Sequence, residues 1–247
     1  MTPGDEALHR GFPTTRVSVV EAAAGADPVS RERAFTSLFA VYWRPCYVHL
    51  RLKWGLSREE AEDLTQEFFA RTLEGGFFAK FDPARARFRT FLRGCLDHLV
   101  ANTRRAEQRL KRGGGAAHLP LDFAIAEQDL ALAAAFEDPD ERFRQEWVRS
   151  LFVVAVETLR TQALDQGHEI RYRVFARADL DPVEGAVRPS YRELAREFDL
   201  PVTQVTNHLA WARREFRRLV LERLRELSGT EAEFRAEARE LFGADPA

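Results

Sequence analysis

The 247 residues contain only two cysteines, Cys46 and Cys95, each set in an apolar helical pattern. Two such isolated thiols make neither a disulfide framework nor a CxxC metal pair, and both read as core residues. Glycine (14) and proline (11) are also scarce and alternating apolar–polar runs are hard to find, which argues against a strand-rich fold and for an all-α chain. No window approaches the roughly 18 apolar residues of a membrane span, and MTPGDEALHRGFPTTR has no apolar signal core. The expected location is therefore the cytoplasm, with no membrane partner. Catalytic signatures are missing too: the six histidines show no HExxH spacing, there is no GxSxG, and Gly113 to Gly115 is not followed by the Lys-Ser/Thr of a phosphate loop. Neither an enzyme nor a metal or other cofactor is expected.

What is present is charge, 31% of residues, arranged in blocks that the net of −2 conceals. Phe81 to Arg112 reads as one long basic helix, started by Asp82-Pro83, with Phe88, Phe91, Leu92, Cys95, Leu96, Leu99 and Val100 on one face. From Ala84 to Arg112 nine Lys/Arg stand against Asp97 and Glu107, a net of +7. Cations this concentrated suit a polyanion, because neutralising phosphates releases condensed counterions. A merely solvated face is the bland alternative.

The preceding helix has the opposite sign. Ser57-Arg58-Glu59-Glu60 has the form of a capping box, and Ser57 to Glu74 carries six acids against Arg58 and Arg71, a net of −4. Its inward stripe reads Ala61, Leu64, Thr65, Phe68, Phe69, Thr72 and Leu73, and its outward face Glu59, Glu60, Glu62, Asp63, Gln66 and Glu67. Such a face repels nucleic acid and suits a polar or basic protein surface. Carboxylates at helical spacing can also hold metal, but those sites want inward Glu-x-x-His pairs and this stretch contains no His.

The pattern divides the chain into a leader (1–29), a first helical domain (30–113), an acidic linker with one short helix (114–140), a second helical domain (141–228) and a polar tail helix (229–247). Asp27-Pro28 suits a helix start, and the amphipathic helix from Ser30 is expected to kink or break at Pro45 before Gly55 ends the segment. In the second domain Ser190-Tyr191-Arg192-Glu193 is another capping box. A short apolar face of Tyr191, Leu194, Ala195 and Phe198 is broken at Asp199-Leu200-Pro201, and helix resumes with Val202, Val205, Leu209, Ala212 and Phe216. Short helix, tight turn, longer helix with a polar start is the helix-turn-helix layout. Gln204, Thr206, Asn207 and His208 offer hydrogen bonds to base edges. Arg213, Arg214, Arg217 and Arg218 lie where phosphate contacts fall.

Together these residues resemble the extracytoplasmic-function class of bacterial RNA polymerase sigma factors, over roughly residues 31–112 and 145–225. AEDLTQEFFARTLE is similar to the segment that in that family docks on the coiled coil of the largest polymerase subunit, which implies contacts from Glu62, Asp63, Leu64, Gln66, Glu67 and Phe68. FRTFLRGCLDHLVANTRRAEQR resembles the segment that melts the promoter and reads its minus-ten element, implying roles for Arg89, Phe91, Arg93, His98, Asn102, Arg105 and Arg109. Phe91 stands where the family often has Trp, and His98, Asn102 and Arg105 fall on its common Asn, Asp and Arg positions. SYRELAREFDLPVTQVTNHLAWARREFRRL looks like the helix-turn-helix that reads the minus-thirty-five element as duplex, implying Thr203, Gln204, Thr206, Asn207, His208, Arg213, Arg214 and Arg217. Two departures lie there: Asp199 at a turn position often held by Gly, and Pro201 for the usual Ser. The resemblance implies core RNA polymerase and promoter DNA, duplex and melted, as partners, an anti-sigma protein as a further candidate, and a role in promoter recognition and transcription initiation. The alternative reading is a helix-turn-helix regulator whose N-terminal helical domain senses a ligand or dimerises.

Overall fold

A computed structural model describes residues 19–25, 27–73, 77–107, 121–132, 138–180 and 188–243. The regular elements are helices: α1 (Val19–Ala24), α2 (Pro28–Lys53), α3 (Arg58–Leu73), α4 (Phe88–Glu107), α5 (Phe123–Leu132), α6 (Pro139–Asp165), α7 (Glu169–Phe175), α8 (Tyr191–Glu197), α9 (Val202–Leu227) and α10 (Glu231–Phe242). A 3-10 turn at Phe78–Lys80 and a π turn at Ala176–Leu180 complete them, with no strand among the described residues. The chain is all-α, as its composition implies.

Most helices begin where local chemistry dictates. The Asp27 carboxylate accepts from the Ser30 amide at 2.9 Å and Pro28 needs no hydrogen bond of its own, so α2 starts there. Ser57 and Glu60 exchange backbone–side-chain bonds at 2.8 and 3.2 Å to open α3, and Ser190 and Glu193 do the same for α8. The basic helix is the exception. It begins at Phe88, not at Asp82-Pro83, because Asp82 closes a local turn instead, its carboxylate taking the Ala84 amide and its carbonyl the Arg85 amide, each at 3.0 Å. The Phe88 amide is satisfied from far away, by Glu233 Oε1 of α10 at 3.0 Å.

One continuous apolar core runs from Val20 to Ala238. At its centre lies α2, which meets α1, α3, α5 and α6. Pro45 to Leu50 are buried consecutively, so this stretch of α2 is enclosed on all sides rather than amphipathic. Nor does Pro45 break it, and the helix continues to Lys53. An interior proline costs roughly 3 kcal/mol, but Val41, Tyr42, Cys46, Tyr47, Val48 and Leu50 are buried on both sides of it. Burial of each large side chain contributes about 1.5–3 kcal/mol.

Two cations and one acid tie α6 to α2. Arg44 Nε donates to Glu146 Oε2 and Arg142 Nη2 to Glu146 Oε1, both at 2.7 Å, and the Glu146 side chain is 3% exposed. Breaking a buried charge group by removing one partner is far more costly than never having built it.

Parts of the segments read as leader and linker also pack. Val20 and Ala23 of α1 are buried, while residues 1–18 lie outside the described residues. In the acidic linker, α5 buries Phe123 and Ala126, and Glu127 accepts from Tyr47 Oη and Arg51 Nε at 2.6 Å each. The glycines at 75–76 and 113–115, residues 108–112 and residues 181–187 fall outside the described residues. No helix among those described is long and apolar enough to cross a membrane.

Candidate nucleic-acid interface

The acidic helix α3 presents fewer of its expected groups than its periodicity suggests. Asp63 is exposed, and Glu62 and Glu67 are half-exposed, bonded to Arg58 (2.7 Å) and Arg71 one turn away. Leu64 and Phe68 belong to the core. Gln66, placed outward by the sequence pattern, is buried. The correction follows from packing: α3 lies between α2 and α4, which covers more of its circumference than a single apolar stripe. The accessible acidic surface is therefore Glu59, Glu60 and Asp63, with Glu62 and Glu67 at its edge.

On α4 the apolar stripe packs as its spacing dictates, with Phe88, Leu92, Leu96, Leu99 and Val100 buried. Phe91 is half-buried in an aromatic cluster, 5.4 Å from the Phe81 ring and 5.9 Å from Phe77. The polar side divides along its length. Near the start, Arg87 Nη1 contacts Glu237 at 3.0 Å and Glu240 at 2.9 Å. Arg89 also pairs with Glu237, and its guanidinium lies 5.1 Å from the centre of the Trp147 ring. Arg93 pairs with Asp140 at 2.7 Å. Further along, Gly94, His98, Asn102 and Arg105 are exposed, and their 4-4-3 spacing aligns them in one stripe. Arg109 lies outside the described residues.

The middle of α4 is anchored by Asp97. Its carboxylate receives Trp54 Nε1 at 2.7 Å, Lys53 Nζ at 2.8 Å and the His49 ring at 2.8 Å. Burial would push this carboxyl upward, but those three donors prevail and hold it below the usual carboxylate range. His49 is enclosed and its Nδ1 has no partner, so the neutral tautomer with Nε2–H donating fits the site. Burial accordingly lowers its proton affinity, against the pull of Asp97.

A second polar surface lies at the start of α9. The Phe198–Pro201 turn ends α8 with the Leu200 amide on the Ala195 carbonyl (2.9 Å), the Asp199 amide on Arg196 (3.4 Å), and Asp199 at φ 52°. This is a Schellman geometry in which a non-glycine residue occupies the left-handed position. Beyond it Thr203, Gln204, Thr206 and Asn207 are exposed and His208 half-buried, while Val205 and Leu209 face the core. Tyr191 and Val202, expected inward, are 43% and 42% exposed, since the short α8 and first turn of α9 project beyond the packed layer. Among the arginines, Arg214 is exposed. Arg213 is engaged by Asp179 at 2.8 and 3.0 Å, and Arg217 stacks on Phe242 at 4.4 Å.

Sequence reasoning missed the acids that meet the basic helix. Glu233, Glu237 and Glu240 share a stripe on α10, and their 4-3 spacing was visible. Nothing local said that it would face Arg87 and Arg89. Burial pushes the Glu233 carboxyl above its usual range, against the Gly229 and Phe88 amides that donate to it.

Residues 44–110, spanning the second half of α2 with α3 and α4, match the family model for sigma-70 region 2. The match supports a sigma-70 family factor with a role in RNA polymerase binding and promoter melting. No curated protein and no solved structure matches the chain.

Proposed function

We propose that the chain is an extracytoplasmic-function type sigma factor, a cytoplasmic protein that binds core RNA polymerase and directs it to promoters without catalysing a reaction of its own. The observation that carries this is the sigma-70 region 2 match falling on the acidic and basic helices together. In this reading residues 30–113 and 141–228 are the two promoter-reading units, with 114–140 between them. The exposed acids of α3, Asp63 foremost, dock on polymerase. The stripe His98, Asn102 and Arg105 follows a melted minus-ten strand, with Phe91 beside it as an apolar wall for unpaired bases. The turn between α8 and α9 makes a helix-turn-helix, so that Thr203, Gln204, Thr206, Asn207 and His208 address base edges of minus-thirty-five duplex and Arg214 its phosphates. An anti-sigma protein would regulate by covering one of these faces.

The test is a pull-down of core RNA polymerase with the wild-type chain and Asp63→Arg, followed by run-off transcription on genomic fragments. Polymerase retained by the wild type, weakened at least about tenfold by the charge reversal, and new start sites are the expected results. Duplex binding with no polymerase binding would replace this reading with an ordinary helix-turn-helix regulator.

A further inference from the structure

The basic helix meets its own chain before it meets DNA. Arg87 and Arg89 are each shared by the Glu237 and Glu240 carboxylates, at 3.0 and 2.9 Å for Arg87 and out to 3.6 Å for the Arg89–Glu240 contact. Arg87 reaches both carboxylates through Nη1 and Arg89 through its two Nη atoms, so two guanidiniums bridge two acids one helical turn apart, a contact set they could equally make with successive phosphates. The same helix caps α4 through Glu233. Its connection to α9 is fitted to that position: a Cβ on Gly229 would stand 2.7 Å from Phe81 Cε1 and 3.0 Å from Pro83 Cβ, in the segment that leads into α4.

Resting on the function proposed above, we propose that α10 is an internal clasp that occupies the strand-binding cations at the start of α4 and must be displaced before a melted strand can follow the helix. The exposed stripe further along α4 stays accessible while the clasp is closed. The clasp thus withholds the phosphate contacts without hiding the base-facing residues.

The test measures binding of a fluorescein-labelled oligothymidylate by anisotropy across salt concentrations, using the full chain. Glu240→Gln and Glu237→Gln each tighten binding by about fivefold and steepen the salt dependence by about 0.7 per released cation. Glu231→Gln, which removes the same charge from the same helix but faces Arg225 and Arg235, leaves both unchanged. Gly229→Val wedges the connector against Phe81 and tightens binding with no change of charge. Glu237 is buried, so its variant also melts earlier; Glu240, whose side chain is 40% exposed, carries the test independently of folding. Equal affinity of Glu240→Gln and wild type, or an equal gain from Glu231→Gln, overturns the clasp. A polymerase pull-down with the same proteins separates the two levels. Retained polymerase binding without a gain on the oligonucleotide sinks the clasp and leaves the sigma reading standing. No polymerase binding by any of them sinks the sigma reading and the clasp with it.

Discussion

The starts of α4 and α9 are built in opposite ways. At α9 the first turns are bare: Thr203, Gln204, Thr206 and Asn207 are exposed, and no side chain caps the helix after Pro201. At α4 the first turns are occupied, with the Phe88 amide taken by Glu233, Arg89 by Glu237 and Arg93 by Asp140. In the proposed function this contrast has a reason: a helix that enters a duplex groove can be presented ready-made, since duplex DNA is there before the protein arrives. A helix meant for a melted strand has no ligand until melting occurs, and its cations otherwise attract any polyanion.

The largest expected effect tests whether packing of the second half on α2 keeps the start of α4 covered. Glu146→Ala leaves Arg44 and Arg142 facing each other in the interior and is expected to cost about 3–5 kcal/mol. Chemical denaturation gives that value, and hydrogen exchange is expected to rise at Phe88 but not at Val205. Equal acceleration at both would erase the contrast. A middle-sized effect concerns pH. His49 takes up its proton only below its ordinary value of 6.5, because burial disfavours the charged ring. Below about pH 6.5 the unfolded chain therefore binds more protons than the folded one, and stability falls as pH falls. Melting temperature should drop from about pH 7 to about pH 5, less steeply in His49→Gln. His208→Gln should also flatten the slope, but by less, since burial and the nearby Arg171 lower that ring's proton affinity too while it sits only half-buried on α9. The smallest effect belongs to the α8–α9 turn. Asp199→Gly relieves the left-handed strain and is expected to stabilise by roughly 1 kcal/mol in denaturant melts, with exchange at Phe88 unaltered. Destabilisation would mean that the Asp199 side chain holds the turn in a way its backbone angle does not reveal.

How much was legible follows from how far each cause reaches along the chain. Asp27, Ser57 and Ser190 cap helices within three residues of themselves, so α2, α3 and α8 begin where the sequence predicts. The start of α4 was misplaced because Asp82 closes a turn instead of a helix, and the amide at the true start, Phe88, is satisfied by Glu233, 145 residues downstream. Pro45 was read by its lost hydrogen bond, a local cost, whereas the helix survives on burial contributed by four neighbouring helices. The same division runs through the candidate residues. Exposure of His98, Asn102 and Arg105, and of Thr203, Gln204, Thr206 and Asn207, follows from helical spacing alone. Engagement of Arg89, Arg93, Arg213 and Arg217 by Glu237, Asp140, Asp179 and Phe242 requires the tertiary fold, because each partner is remote in sequence or set on another element.

The connector between α9 and α10 is only Ser228, Gly229 and Thr230. Carboxylates on so short a tether act at an effective concentration on the order of millimolar or above for any site within their reach. A stray nucleic acid at micromolar concentration competes poorly with that. In the proposed function, DNA already held elsewhere on the same protein, by α9 or through a polymerase bound at α3, competes on equal terms, because it too is tethered. The length of three residues thus acts as a threshold, favouring ligands that arrive with a second point of attachment over those that arrive alone.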